Sequence, residues 1–142
     1  MEEKHKQLAL RYLTVRMRSE FEMRQYLEKK QVAAEEIDEI VAYLYSYHYL
    51  DDAQFAESFV RAKLRFNPCG RLKLTFALRD KGIDSFIIED TLAREYPEEA
   101  EIAQLEREYD KCREKGKKYQ QTMRYLYGKG YSAGLLSELE RY

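Results

Sequence analysis

The sequence predicts an all-α protein of three tandem three-helix repeats, forming an elongated, curved stack of right or left hand. Three observations lead there. Only two prolines and six glycines interrupt 142 residues, which favours long helices over many short strands. A ladder of apolar positions recurs without gaps when Ser19–Tyr43, Gly70–Arg94 and Lys118–Tyr142 are laid over one another. Each copy also carries helix caps and helical periodicity. The offsets between copies, 51 and 48 residues, suit three short helices apiece and set the repeats at 1–50, 51–99 and 100–142.

In that ladder Leu27, Leu78 and Leu126 fall together, as do Lys30, Lys81 and Lys129. Val32, Ile83 and Tyr131 follow, then Ile37, Ile88 and Leu136, then Ile40, Thr91 and Leu139. Ser19 and Glu22 fit a capping box, in which the hydroxyl takes an orphan amide and the carboxylate reaches back to the cap. Ile37, Ile40, Val41 and Leu44 form one side of the third helix of copy one, with acids around the other. The run Tyr43–Tyr49 alternates like a strand, yet its place in the repeat makes it a helix end. Of Asp51 and Asp52, one is expected to cap the helix starting near residue 52 and to be structural before it is functional. Asn67-Pro68 ends that helix, because proline restricts the residue before it. The middle helix of copy two has Leu74 and Leu78 on one face and Leu72 and Phe76 on nearly the opposite one, so it is expected to be covered on both sides. Gly82 and Gly130 follow lysines where a left-handed C-cap is expected, and copy one has Gln31 there, at a cost of about 1 kcal/mol.

Catalytic chemistry has little to build on. His5 and His48 are the only histidines, and the motifs of zinc proteases, phosphate-binding loops and serine hydrolases are all absent. Asp51-Asp52 is one carboxylate pair without further ligands, so neither a metal nor a cofactor is expected. Cys69 and Cys112 lie 43 residues apart, outside any CxxC, and read as free thiols of a reducing cytoplasm. The N-terminus lacks the apolar run of a signal peptide, and no apolar stretch is long enough to span a bilayer. The expectation is a soluble, cytoplasmic monomer that acts by binding.

Hydrophobic residues make up 44% and charged residues 36%, at a net charge of −1, which argues against a strongly basic DNA-binding protein. The charge nevertheless comes in alternating blocks. Arg61, Lys63, Arg65, Arg71, Lys73, Arg79 and Lys81 stand against Asp80 alone, whereas 31–60 holds acids without Lys or Arg. A second basic block contains Lys117 and Lys118. These nine cations are the candidates for contact with phosphate or an acidic partner, and a solvated helix face is the plain alternative. If the modules stack with like helices side by side, the charge polarises across the protein. The thirteen tyrosines read mainly as core and snorkelling residues.

At Ser19-Glu20-x-Glu22, Leu50-Asp51-Asp52-x-x-Phe55-Ala56 and Leu78-x-x-Lys81-Gly82-Ile83, the sequence resembles the RecX regulatory family. The likeness covers nearly the whole chain. It implies tandem three-helix repeats and a non-enzymatic modulator of the bacterial RecA recombinase, seated in the groove of the RecA–single-stranded DNA filament and usually inhibiting strand exchange and coprotease activity. The motif residues Ser19, Glu22, Leu50, Asp51, Asp52, Phe55, Ala56 and Gly82 are expected to be structural. A reading from another class, a helix-turn-helix-like DNA-binding transcription regulator, rests on short helices joined by a glycine turn.

Overall fold

The computed structural model describes residues 1–139. Positions 140–142, which end the third copy of the repeat, lie outside the described residues. Among the described residues every regular element is a helix: α1 Glu3–Val15, α2 Glu20–Lys29, α3 Ala34–Ser46, α4 Asp52–Phe66, α5 Arg71–Asp80, α6 Ser85–Glu95, α7 Glu98–Glu114, α8 Tyr119–Gly128 and α9 Ala133–Leu139.

The local chemistry sets these bounds. Ser19 and Glu22 form the full reciprocal capping box of α2. Asp51 caps α4 through the Gln54 amide, and Asp84 caps α6 through the Phe86 amide. Helix α4 stops at Phe66, ahead of Pro68. At Lys118 only half a capping box forms: its N–H donates to the Gln121 side chain, since an ammonium group cannot accept in return. The tyrosine run resolves as helix through Ser46 and then a turn, where His48 takes φ 60°. Gly82 and Gly130 adopt φ 75° and 94°, and Gln31 adopts 64° in the corresponding place.

Each triplet of helices encloses its own hydrophobic cluster. Met23, Leu27, Ile40 and Leu44 centre the first; Val60, Leu74, Leu78 and Ile88 the second; Leu105, Leu126 and Tyr131 the third. Among the described residues the third cluster is the smallest. In it the Tyr131 hydroxyl donates to the buried Glu108 carboxylate; in the second cluster the Tyr96 hydroxyl donates to the Cys69 carbonyl at 2.8 Å.

Two expectations are corrected. Helix α5 is covered on one side only: Leu74 and Leu78 are buried, while Leu72 is 55% and Phe76 76% exposed. Like helices also do not lie side by side. Among the described residues every extensive helix–helix contact falls inside a triplet, and the middle helices meet end to end. The physical reason is that a helix end carries unpaired backbone groups, and an end-on joint pairs them.

The joint occurs twice with the same polarity. At the first, the Ser19 hydroxyl at the start of α2 donates to the Lys81 carbonyl at the end of α5, at 2.7 Å. The Glu20 amide is taken by Asp52 Oδ1 at 2.9 Å. At the second, the Gly70 amide at the start of α5 donates to the Lys129 carbonyl at the end of α8, at 2.8 Å, and the Leu72 amide donates to the Gly130 carbonyl at 3.2 Å. The Arg71 amide is taken by Glu101 Oε2 at 2.7 Å. In both joints, then, the first helix of the following module lends a carboxylate to the middle helix of the preceding one. The serine joint is bridged by a side chain. The glycine joint is a direct backbone contact, and a Cβ on Gly70 would stand 2.2 Å from the Gly130 carbonyl oxygen.

The receiving glycines are equally constrained. A Cβ at Gly82 would lie 2.4 Å from Phe21 Cβ, and one at Gly130 2.4 Å from Lys73 Cβ. No module of the described chain docks on Gln31, so only its backbone conformation is strained there. Gly130→Ala combines a left-handed φ with overpacking and is expected to lose about 2 kcal/mol or more in urea unfolding. Gly128→Ala, inside α8 with open space around it, should be neutral or mildly stabilising.

Glu101 is only 4% exposed, and burial raises its carboxyl above the ordinary value despite the opposing hydrogen bond from the Arg71 amide. The folded chain therefore holds a proton that the unfolded chain releases between the ordinary value and the raised one. Stability from this group is greatest below that window and falls as pH rises through it. Glu101→Gln keeps an acceptor for the Arg71 amide and should flatten the decline in melting temperature across the window. Glu101→Ala should cost about 1–2 kcal/mol below the window, because it leaves the amide unpaired, and less above it.

Candidate partner-binding surface

The structure divides the nine candidate cations by what holds them. Arg61 is turned to Glu57 and Glu95, at 2.6 and 2.9 Å, so its charge is balanced on the α4–α6 face. Lys81 belongs to the first joint: its carbonyl takes Ser19, and its Nζ lies 3.5 Å from Glu22. Arg71 belongs to the second, with its amide on Glu101 and its Nε buried without a hydrogen-bond partner. Lys117 sits 4.3 Å over the Tyr125 ring, and Lys118 is the exposed N-cap of α8.

The remaining four carry charge without a carboxylate partner among the described residues. Arg65 lies 5.4 Å from the exposed Phe66 ring, and Lys63 lies 5.7 Å from Phe59. Lys63 and Lys73 line a cleft of about 50 Å³ at the α4–α5 turn with Asn67 and Cys69. Arg79 shares the outer face of α5 with Leu72 and Phe76.

Lys129 joins them from the third module. Its Nζ reaches Asn67 Oδ1 at 3.1 Å and stands 4.0 Å from Glu108. Lys63, Lys73 and Lys129 thus converge on the same turn, and their fields act together on the Cys69 thiol, which burial still pushes above its usual value. Lys129 was on the repeat ladder beside Lys30 and Lys81, but nothing in the sequence brings it to Asn67, 62 residues earlier.

The motif residues sit in the core or at helix ends. Leu50, Phe55 and Ala56 are buried in the first and second clusters. Asp51 caps its own helix, while Asp52 caps α2 of the neighbouring module. Burial raises the Asp52 carboxyl, opposed by its hydrogen bond from the Glu20 amide. Glu22 shows the opposite balance: burial would raise it, but hydrogen bonds from Arg16 and the Ser19 amide and the charge of Lys81 bring it below the ordinary range.

Other chemistry is sparse. Among the described residues, Glu2, His5 and Glu36 are the one His–carboxylate group close enough to share a cation, with donor atoms within 4.8 Å of one another. His5 Nδ1 is 2.8 Å from Glu36 Oε2, a hydrogen bond that ties α1 to α3. Spacing could not reveal it, because Glu36 is 31 residues from His5. Cys69 and Cys112 are free and buried. No helix among the described residues is long and apolar enough to cross a membrane.

Known proteins match this architecture along most of its length. Residues 6–44 match the family description "RecX, first three-helix domain", and residues 51–92 match "RecX, second three-helix domain". A protein named Regulatory protein RecX from Oceanobacillus iheyensis is 34% identical over 92% of this chain and 50% of its own length. Its namesake from Halalkalibacterium halodurans is 37% identical over 92% of this chain and 51% of its own. The chain therefore spans about half the length of these curated relatives. The crystal structure of RecX from Lactobacillus salivarius superposes with a TM-score of 0.78 at 25% identity, covering 97% of this chain and 93% of the other. With two successive RecX three-helix domains in their order, and such relatives along most of its length, this chain belongs to the RecX family.

Proposed function

We propose that this protein is a non-enzymatic regulator of the bacterial RecA recombinase that binds the RecA–single-stranded DNA filament and inhibits its recombinase and coprotease activities. The observation that carries the reading is the tandem match to the two RecX domains. Lys63, Arg65, Lys73 and Arg79 supply the contact, because their charges are not consumed inside the protein. Phe66, Leu72 and Phe76 of the same two helices are exposed as well, so α4 and α5 offer both cations for phosphate or acidic side chains and apolar area. Arg61 and Lys81 are paired with carboxylates of the chain instead, and Arg71, Lys117 and Lys118 add to the contact.

The test is to change Lys63, Arg65, Lys73 and Arg79 together to Glu and titrate the folded variant against the single-stranded-DNA-dependent ATPase of RecA. Wild-type protein should suppress the ATPase with a salt-sensitive affinity, and the variant should need about a hundredfold more protein. Unchanged inhibition would reduce the four cations to a solvated face. Salt-dependent binding to duplex DNA without RecA, together with no effect on the ATPase, would favour a transcription regulator.

A further inference from the structure

The chain turns from α3 into α4 through a run of exposed rings. Tyr47 is 59% and Tyr49 51% exposed, and their rings lie nearly parallel, with centroids 6.0 Å apart and planes at 15°. Tyr43 continues the series inward, 4.8 Å from Tyr47, and the Lys6 ammonium stands 4.6 Å over the Tyr43 ring. Two residues apart on a helix, Tyr47 and Tyr49 would point to nearly opposite sides. Helix α3 stops at Ser46, however, and the exposed His48 between them takes φ 60°, which lets the two rings meet.

Tyr49 and His48 also edge a cleft of about 410 Å³, walled by Leu10, Leu13, Thr14 and Met17 and lined by no carboxylate. Lys6, Leu10, Leu13 and Thr14 recur at helical spacing, so one stripe of α1 leads from Tyr43 to this cleft. The charge beside the rings is positive. Residues 4–18 hold Lys4, Lys6, Arg11, Arg16 and Arg18 and no acid. Arg16 is taken by Glu22, and Lys6 lies 4.0 Å from Glu3. Lys4, Arg11 and Arg18 have no carboxylate partner among the described residues. The acids that follow the rings, Asp51 and Asp52, are spent on helix amides, and Glu36 on His5 and the Glu2 amide.

We propose that Tyr47 and Tyr49 stack on unpaired bases of single-stranded nucleic acid, whose phosphates pass the cations of α1. Two near-parallel ring faces receive flat groups, and a single strand presents one flat group on every nucleotide. Stacking of this kind tolerates any sequence but needs bases free of a partner, and a duplex keeps its base faces inside its own stack. The cations of α1 add the salt-dependent attraction for phosphate. The inference goes beyond the recombinase reading: it uses none of the cations assigned there and is tested without RecA, so either can fail alone.

The probe is a fluorescent oligodeoxythymidylate of about twelve nucleotides, titrated with the full chain at low salt and followed by anisotropy. Saturable binding is expected, about tenfold weaker when Tyr47→Ala and Tyr49→Ala are combined. Tyr47→Phe with Tyr49→Phe should bind like wild type, because the ring and not the hydroxyl makes the contact. Both sites are exposed, so both double variants should keep the wild-type melting temperature. A strand of abasic sites with the same number of phosphates should bind the wild-type chain about tenfold more weakly, a comparison that needs no variant. Equal affinity for the abasic strand would overturn the proposal. So would full affinity in the folded double-alanine variant, a duplex bound as tightly as the single strand, or no saturable binding at all.

Discussion

A short helix leaves its first amides and last carbonyls without partners, and in this protein the middle helix of one module completes the middle helix of the next. Ser19 and Gly70 stand at equivalent positions and reach the equivalent carbonyls of Lys81 and Lys129. The positive end of one helix dipole therefore meets the negative end of another at both joints, which adds to the hydrogen bonding. The carboxylates of Asp52 and Glu101 sit at the same positive ends. Because each joint is narrow, close approach matters more than area. That is why glycine occupies Gly70, Gly82 and Gly130, where added side-chain atoms would collide with the opposing module.

This constraint also decides which charges stay unpaired on the surface. A cation at a joint is consumed in holding the modules together, as Lys81 is by Glu22. A cation on the outer face of α5 is not, because the end-on geometry leaves that face uncovered. The exposed Leu72 and Phe76 follow from the same geometry. Had the modules packed side by side, those two residues would be core, and Arg79 would need a buried partner.

The helices themselves were legible in the sequence because their signals are local. The capping box at Ser19, the stop at Asn67-Pro68 and the glycines after Lys81 and Lys129 all act within a few residues. The apolar ladder was equally plain, since it reports the face each helix turns to its own cluster. What the sequence hid acts across modules. Asp52 was one of two candidates for the cap of α4, yet its acceptor is spent on α2, 32 residues earlier. Glu101 was one acid among ten in residues 84–110, and only burial against the Arg71 amide distinguishes it. The basic block was visible as a block, but its division into joint cations and free ones required the partners' positions.

The central claim is that the end-on joints persist in solution and hold the modules in one arrangement. Amide hydrogen exchange at Gly70 and Leu72 tests it most directly. Both lie at the start of α5, where no intrahelical acceptor exists, and their bonds run to Lys129 and Gly130 across the joint. The account predicts that these two amides exchange about as slowly as those of Leu74 and Leu78 in the interior of the same helix. Exchange at the rate of exposed helix N-termini, with the interior of α5 still protected, would show that the modules fold separately and that the joint does not hold them.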